Sequence, residues 1–311
     1  MNQQEIDEKF MRRCLQLAAN GLQNARPNPM VGAVIVASDR IIGEGYHQRY
    51  GEGHAEVNAF ASVRPEDEPL LKEATIYVSL EPCSHYGKTP PCADLIVRKG
   101  VRRCVVGCID PFSEVQGRGI RRLRDAGIEV TVGILEEECQ WLNRRFFTFH
   151  REHRPYIILK WARSADGFID KDFQPVQISN AETQLLSHRL RAEEDAILVG
   201  HTTDVRERPQ LTVRHWVGPD PKRLVLTHDR PLPLLMDDLY QHGIQSLIVE
   251  GGRQTHEAFL SAGLWDEIRM ETAPLVLGNG TRAPQLPPDA CLTESMVYGE
   301  HTVQVFRHKV S

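Results

Sequence analysis

The sequence predicts an α/β protein made of two successive units. Three observations lead there. The chain has 311 residues, more than one average domain of roughly 100–200 residues holds. Helical and β-branched stretches alternate up to about residue 133, and after a polar break the alternation restarts. Neither half carries an internal repeat or a low-complexity run.

In chain order, 5–21 reads as a helix ended by Gly21. The turn Arg26-Pro27-Asn28-Pro29 feeds a strand over 31–37, and Ser38-Asp39-Arg40 joins it to a second strand over 41–46, a hairpin. A short helix is expected over 54–63 and a β-branched strand over 75–80. The helix over 90–99 has proline near its start and Gly100 past its end. Strand 104–107, helix 119–126 and strand 128–132 follow. Three strands, each preceded by a helix, predict a largely parallel sheet with helices on its faces. Residues 136–147 read as one helix, and 148–155 (TFHREHRP) as the polar stretch where the units divide, giving domains 1–148 and 154–311. The second half is read as strand 156–162, helix 181–192, strands 196–200 and 223–227, helix 234–242, strand 246–250, helix 255–262, strand 267–273 and a mostly β tail.

The net charge of −5 argues against non-specific binding to nucleic acid or a membrane surface, which needs a basic footprint. No apolar run approaches the roughly 20 residues of a membrane span. The N-terminus reads as an amphipathic helix and not as a signal peptide, so a cytoplasmic location is expected. Seven cysteines do not suit a disulfide framework. Cys14, Cys104, Cys108, Cys139 and Cys291 read as reduced thiols.

Cys83 and Cys92 sit in different company. The first half contains His54-Ala55-Glu56, then Pro82-Cys83 and Pro91-Cys92. A catalytic zinc takes three protein ligands and leaves a fourth position open; His54, Cys83 and Cys92 meet that need, with Glu56 nearby and not a ligand. Zinc lowers the pKa of a bound water from about 16 to near 7, and Glu56 would carry protons between that water, a ring nitrogen and a departing amine. H-x-E followed by P-C-x-x-C is the signature of zinc deaminases; here eight residues separate the cysteines. The competing reading is a surface histidine with cysteines that hold a structural zinc or no metal at all. His54 would open one helix and Cys92 another, where helix dipoles favour thiolates.

These residues closely resemble one family, the bifunctional deaminase/reductase of riboflavin biosynthesis. The resemblance runs from about residue 8 to 305. It rests on Pro27-Asn28-Pro29-Met30-Val31-Gly32-Ala33, Gly45-Tyr46-His47, His54-Ala55-Glu56-Val57, Glu81-Pro82-Cys83-Ser84-His85-Tyr86-Gly87-Lys88-Thr89-Pro90-Pro91-Cys92, Asp110-Pro111 and Gly117-Arg118-Gly119. The long Cys–Cys loop is that family's own variant. The resemblance implies a cytidine-deaminase-like α/β/α sandwich followed by a shortened dihydrofolate-reductase-like α/β domain. It implies zinc and NADPH as cofactors, a phosphoribosyl-pyrimidine substrate that loses its 2-amino group, and a homodimer. It also implies that Asn28 and His47 contact ring or ribose, Lys88 the phosphate, and Asp110 the pocket. Without it, Asn28 is equally a turn former, Lys88 an exposed lysine and Asp110 a cap.

In the second half the matching strings are Lys160-Trp161-Ala162-Arg163-Ser164-Ala165-Asp166-Gly167, Ile178-Ser179, Leu190-Arg191-Ala192-Glu193, Leu211-Thr212-Val213-Arg214 and Val249-Glu250-Gly251-Gly252. By resemblance, Lys160, Arg191, Glu207, Leu211 and Arg214 form the substrate side, and Ser179, Glu250, Gly251 and Gly252 the NADPH side. Three departures stand out. Glu207-Arg208 replaces an acidic pair, Gln177 replaces an aromatic residue, and the stretch between strands 223–227 and 246–250 is short. They motivate an alternative in which only the deaminase works and the second half is kept for folding or dimerisation. Two further rivals are a zinc deaminase acting on tRNA or a free nucleoside, and a zinc-stabilised scaffold.

Overall fold

Local sequence sets the first helix. Asn2 accepts from the Glu5 N–H (2.9 Å), and the Glu5 carboxylate accepts from the Asn2 N–H (3.0 Å). This reciprocal cap starts α1, Gln3–Ala18. The computed structural model describes residues 2–85, 90–112 and 116–308. The chain divides into two units, Met1–Glu152 and His153–Ser311.

In the first unit β1 (Gly32–Ala37) and β2 (Arg40–Tyr46) form the expected hairpin. After α2 (Ala55–Ala61) come β3 (Thr75–Leu80), α3 (Cys92–Lys99), β4 (Arg103–Cys108), α4 (Arg118–Asp125) and β5 (Glu129–Val132). The strand order is β2-β1-β3-β4-β5. β3, β4 and β5 are parallel, while β1 runs antiparallel to β3. Side chains alternate between two cores, because successive strand residues point to opposite faces. Ala33, Ile35, Ile76, Val78, Cys104 and Val106 pack with Ala59, Ile96 and Leu123 of α2, α3 and α4. Val34, Val36, Tyr77, Val105 and Cys108 pack with Met11 and Cys14 of α1. Each fully buried Val, Leu, Ile or Met among them contributes about 1.5–3 kcal/mol.

Two expectations change here. The helix expected over 136–147 breaks at Asn143 into α5 (Glu136–Leu142) and α6 (Arg144–Glu152). The polar stretch over 148–155 is helical through Glu152, because Phe146, Phe147 and Phe149 supply a buried stripe that carries the helix on. His150 packs its ring edge-on to Phe146 at 4.4 Å.

The second unit contains β6 (Tyr156–Arg163), α7 (Ala181–Glu193), β7 (Ala196–Gly200), α8 (His201–Glu207), β8 (Lys222–Leu226), α9 (Leu232–Gln241), β9 (Ser246–Gly251), α10 (Arg253–Ser261) and β10 (Glu267–Thr272). β11 (Ala290–Tyr298) and β12 (His301–His308) close it. The order is β11-β12-β10-β6-β9-β7-β8, parallel from β10 to β8 and antiparallel at β11 and β12. One face carries Ile157, Leu159, Trp161 and Leu198 under α9 and α10; the other carries Ile158, Ile197 and Ile248 under α7. α8 is an addition to the expected elements, since its HTTDVRE has no helical apolar period.

Candidate active sites

In the first unit, loops at the carboxyl ends of parallel strands converge. His54 is the N-cap of α2, Cys83 follows β3, and Cys92 is the first residue of α3. The ligand atoms of these three residues lie within 4.8 Å of one another. His54 Nδ1 is 3.5 Å from Cys83 Sγ and 3.4 Å from Cys92 Sγ. Zn–S bonds near 2.3 Å and Zn–N bonds near 2.05 Å at a tetrahedral angle would set S and N about 3.6 Å apart, so the donors fit zinc. Among the described residues no fourth His, Cys, Asp or Glu joins the group.

The first N–H of α3, from Cys92, is donated to Cys83 Sγ (3.3 Å). The helix start therefore favours a thiolate on Cys83. The Cys83 thiol is pulled down to about 4, first by a hydrogen bond from the Cys92 thiol, then by His54 and the Cys92 backbone N–H. The bond between the two side chains pushes Cys92 upward. Glu56, one residue into α2, is 3% exposed. Burial, reinforced by Cys83, pushes its carboxyl up to about 7.

His47 stands beside the group, its ring edge-on to His54 at 5.4 Å. The Gly53 carbonyl 3.2 Å from His47 Nδ1 can only accept, so Nδ1 carries the proton. Nε2 is then an acceptor and takes the Asn28 amide N–H at 3.1 Å. Burial lowers the His47 pKa and keeps the ring neutral. Asp110 follows β4 and is buried, which pushes its carboxyl up to about 6; its Oδ1 accepts the Phe112 N–H (2.8 Å). Lys88 lies outside the described residues.

Two residues that hold this site were not singled out from the sequence. The buried Glu81 carboxylate accepts the N–H groups of Asp110 (3.3 Å), Gly117 (2.9 Å), Gly119 (2.9 Å) and Ile120 (3.3 Å). A Cβ on Gly119 would lie 2.0 Å from the Pro82 carbonyl, so α4 starts directly against the Cys83 loop. Asn143, at the break between α5 and α6, accepts the Met30 N–H and donates to the Met30 carbonyl, both at 2.8 Å. This clamps the turn that carries Asn28. Glu81 directly precedes the Pro82-Cys83 pair, which is its one signal in the sequence, and nothing in the sequence marks Asn143.

The second unit holds a cleft of about 1000 Å³, at the upper end of what ligand sites occupy. Lys160, Ser179, Arg191, Glu207, Glu250, Gly251 and Gly252 line it. Leu211 and Arg214 do not: Leu211 is buried in the core, and the Arg214 backbone N–H bonds His188 Nδ1 (2.9 Å). Arg191 forks onto Glu250 at 2.6 and 3.1 Å. Burial opposes the charge on Glu250, but Lys160 and Arg191 outweigh it and hold the carboxylate low. Ser179 donates its hydroxyl to Glu271 (2.6 Å), a buried carboxylate that also gathers Thr183 Oγ1 and His301 Nδ1, each at 2.8 Å.

Gly252 has φ 42°, and a Cβ there would meet Thr203 Oγ1 at 2.8 Å. It leads into α10, whose N-terminus lies at the cleft with Gly251 and Gly252, an arrangement suited to phosphate groups. This chemistry fits a dinucleotide phosphate. Two of the departures have defined local partners or conformations. Arg208 ends α8 in a left-handed conformation (φ 45°), Glu207 pairs with Arg206 (2.8 Å), and Gln177 donates to the Ser179 carbonyl (2.6 Å). Thr203, Arg230 and Arg253 also line the cleft and were not foreseen.

Residues 4–108 match the cytidine and deoxycytidylate deaminase zinc-binding region, and residues 155–303 match the RibD C-terminal domain. The riboflavin biosynthesis protein RibD of Aquifex aeolicus is 37% identical, with 89% of each chain covered. That of Escherichia coli K12 is 36% identical over 89% of this chain and 90% of its own. The crystal structure of the diaminohydroxyphosphoribosylaminopyrimidine deaminase/5-amino-6-(5-phosphoribosylamino)uracil reductase from Thermotoga maritima superposes with a TM-score of 0.91 at 31% identity, covering 99% of this chain and 100% of that one. A crystal form of Acinetobacter baumannii RibD also gives 0.91, at 30% identity.

Proposed function

The chain belongs to the RibD family of riboflavin biosynthesis proteins, and from that premise we propose how its residues share two reactions. It is a deaminase and reductase of riboflavin biosynthesis. The first unit hydrolytically deaminates 2,5-diamino-6-(5-phosphoribosylamino)pyrimidin-4(3H)-one. The second reduces the ribosyl group of the product to ribityl with NADPH. The observation that carries the first assignment is the triad of His54, Cys83 and Cys92 with buried Glu56 beside it.

Zinc held by that triad supplies an acidified water at neutral pH. The Glu56 carboxylate would accept a proton from the attacking water and deliver it to the ring nitrogen next to the reacting carbon; it would then take the remaining proton of the added hydroxyl and pass it to the leaving amine as the C–N bond breaks. Burial suits Glu56 to this shuttle by bringing its carboxyl near neutrality. Asn28, oriented by neutral His47, presents its amide to ring or ribose, and Asp110 closes the pocket. Lys88 is assigned the phosphate. Cys83 and Cys92 are metal ligands and carry no proton.

In the second unit NADPH supplies the hydride. Gly251, Gly252 and the start of α10 receive cofactor phosphate, Ser179 contacts the cofactor, and Glu250 sets the position of Arg191. Lys160, Arg191 and Glu207 face the substrate sugar. Leu211 and Arg214 keep their proposed substrate role only if ligand binding draws them to the cleft. A homodimer and a cytoplasmic location complete the reading; no helix among the described residues is long and apolar enough to cross a membrane.

The test is a mass-spectrometric time course on zinc-loaded protein given the diaminopyrimidine substrate, with and without NADPH. Replacement of the amino group by oxygen, then gain of two hydrogens only with NADPH, is expected. A reaction that stops after deamination in both tubes would leave the second unit without its reductase role. Glu56→Gln should keep zinc and abolish deamination.

A further inference from the structure

Residues 171–174 form a tight hairpin turn at the rim of the second unit's cleft. Lys171 N–H donates to the Gln174 carbonyl (3.1 Å) and Gln174 N–H to the Lys171 carbonyl (2.8 Å). Asp172 and Phe173 therefore occupy the two central positions, at φ 51° and 61°. Such turns favour Asn-Gly or Asp-Gly, since both positions are left-handed. Aspartate tolerates that conformation, but a bulky aromatic there is an outlier held at a cost in backbone energy.

Packing inside the chain does little to offset that cost, because Phe173 keeps 67% of its surface exposed. Phe173 is nevertheless one of the residues that line the cleft. The turn is anchored from below. Asp170, 2% exposed, accepts the Phe173 N–H (3.3 Å), the Thr281 N–H (2.8 Å) and the Thr281 hydroxyl (2.7 Å). The Asn279 amide donates to the Asp172 carboxylate (2.6 Å). The ring is thus displayed from a fixed point. Of the Phe, Tyr and Trp residues that line the cleft, Trp161 is buried in the core and Phe173 is exposed.

We propose that Phe173 is a ligand-contacting residue of the reductase site, its ring packing against the planar heteroaromatic ring of a bound molecule. Two ligands of that site carry such a ring: NADPH in its adenine and, once oxidised, its nicotinamide, and the substrate in its pyrimidine. The inference rests on the reading of the cleft as an NADPH-dependent reductase site. A ring contact accounts together for the aromatic side chain, its exposure, its strained backbone and its rigid anchoring.

The experiment uses the full-length protein and its Phe173→Ala, Phe173→Tyr and Phe173→Gly variants. NADPH affinity is read by fluorescence titration and KM for the deaminated pyrimidine by steady-state reduction. Loss of an aromatic contact should weaken one ligand about 3- to 10-fold in the Ala and Gly variants, and Tyr should restore it. The ligand that weakens is the one whose ring Phe173 meets. Melting temperature should stay level in Phe173→Ala and rise in Phe173→Gly, and deamination should be unchanged in all. Wild-type binding of NADPH with no change of either ligand in Phe173→Ala overturns the contact alone, as does a melting temperature that falls together with both affinities. A wild type with no saturable NADPH binding overturns the reductase reading, and the contact with it.

Discussion

Replacing Glu81 by Gln perturbs the strut under the metal loop with almost no change of shape. The wild-type carboxylate takes four backbone N–H groups, two on each oxygen. Glutamine keeps one oxygen and turns the other into an NH2 group that faces two donors. Two N–H groups then lose their acceptor in a site where Glu81 itself is 4% exposed. At about 1–3 kcal/mol for each orphaned donor, the loss is roughly 2–6 kcal/mol, a large part of the ~5–15 kcal/mol that holds a domain together. Its effect should be local first, at the start of α4 and at the Pro82–Cys83 turn against which Gly119 packs. Hydrogen exchange over residues 116–125 should therefore speed up by about 30-fold or more, at ~1.4 kcal/mol per tenfold. Zinc should also leave faster. Exchange within about threefold of wild type would refute the strut.

Three further outcomes follow from the same geometry. Asn143→Ala strips two hydrogen bonds from the buried Met30 backbone; it should cost about 2–4 kcal/mol of stability and raise the deaminase KM through Asn28, while reduction of pre-deaminated product stays normal, as paired steady-state assays would read. His256 is 1% exposed, and burial pulls its pKa down from 6.5 to about 3. The unfolded chain then binds the extra proton, so this stability is complete above pH 6.5 and drains as pH falls towards 3, by up to about 1.4 kcal/mol per unit. His256→Leu should flatten urea midpoints across that window, and an unchanged slope would remove His256 as the cause. Gly252→Ala adds a Cβ at φ 42° against Thr203; NADPH affinity should fall about fivefold or more, if the ~1–3 kcal/mol of strain is relieved by moving the loop out of its binding position, at ~1.4 kcal/mol per tenfold, with deamination untouched, and titration of NADPH into the variant decides it.

Much of the first site was legible because its chemistry resides in rare residue types at short spacing. A His-x-Glu pair and two Pro-Cys pairs pick out, without coordinates, the His54, Cys83 and Cys92 that the fold gathers, and a helix stop such as Gly100 acts within one turn of itself. The strand alternation that splits Ile35 from Val36 onto two cores is equally local. The Asn143 break was not legible, because no residue there forbids a helix and the stripe of Phe146, Phe147 and Phe149 shows its burial only in the fold. Nor were the strut and clamp. Glu81 reaches Gly119 across 38 residues and Asn143 reaches Met30 across 113, and a carboxylate or amide bound for backbone looks in sequence like any exposed one. The same limit applies to Arg191, which a family pattern points at substrate and whose guanidinium is forked onto Glu250, 59 residues away. Sequence by itself determined which reacting groups the chain owns and the two-unit α/β rhythm, because both are written in residue type and short-range period. Only tertiary structure decided which side chains hold those groups in place and which polar partners they meet, because those bonds join segments that become neighbours only when the sheets assemble.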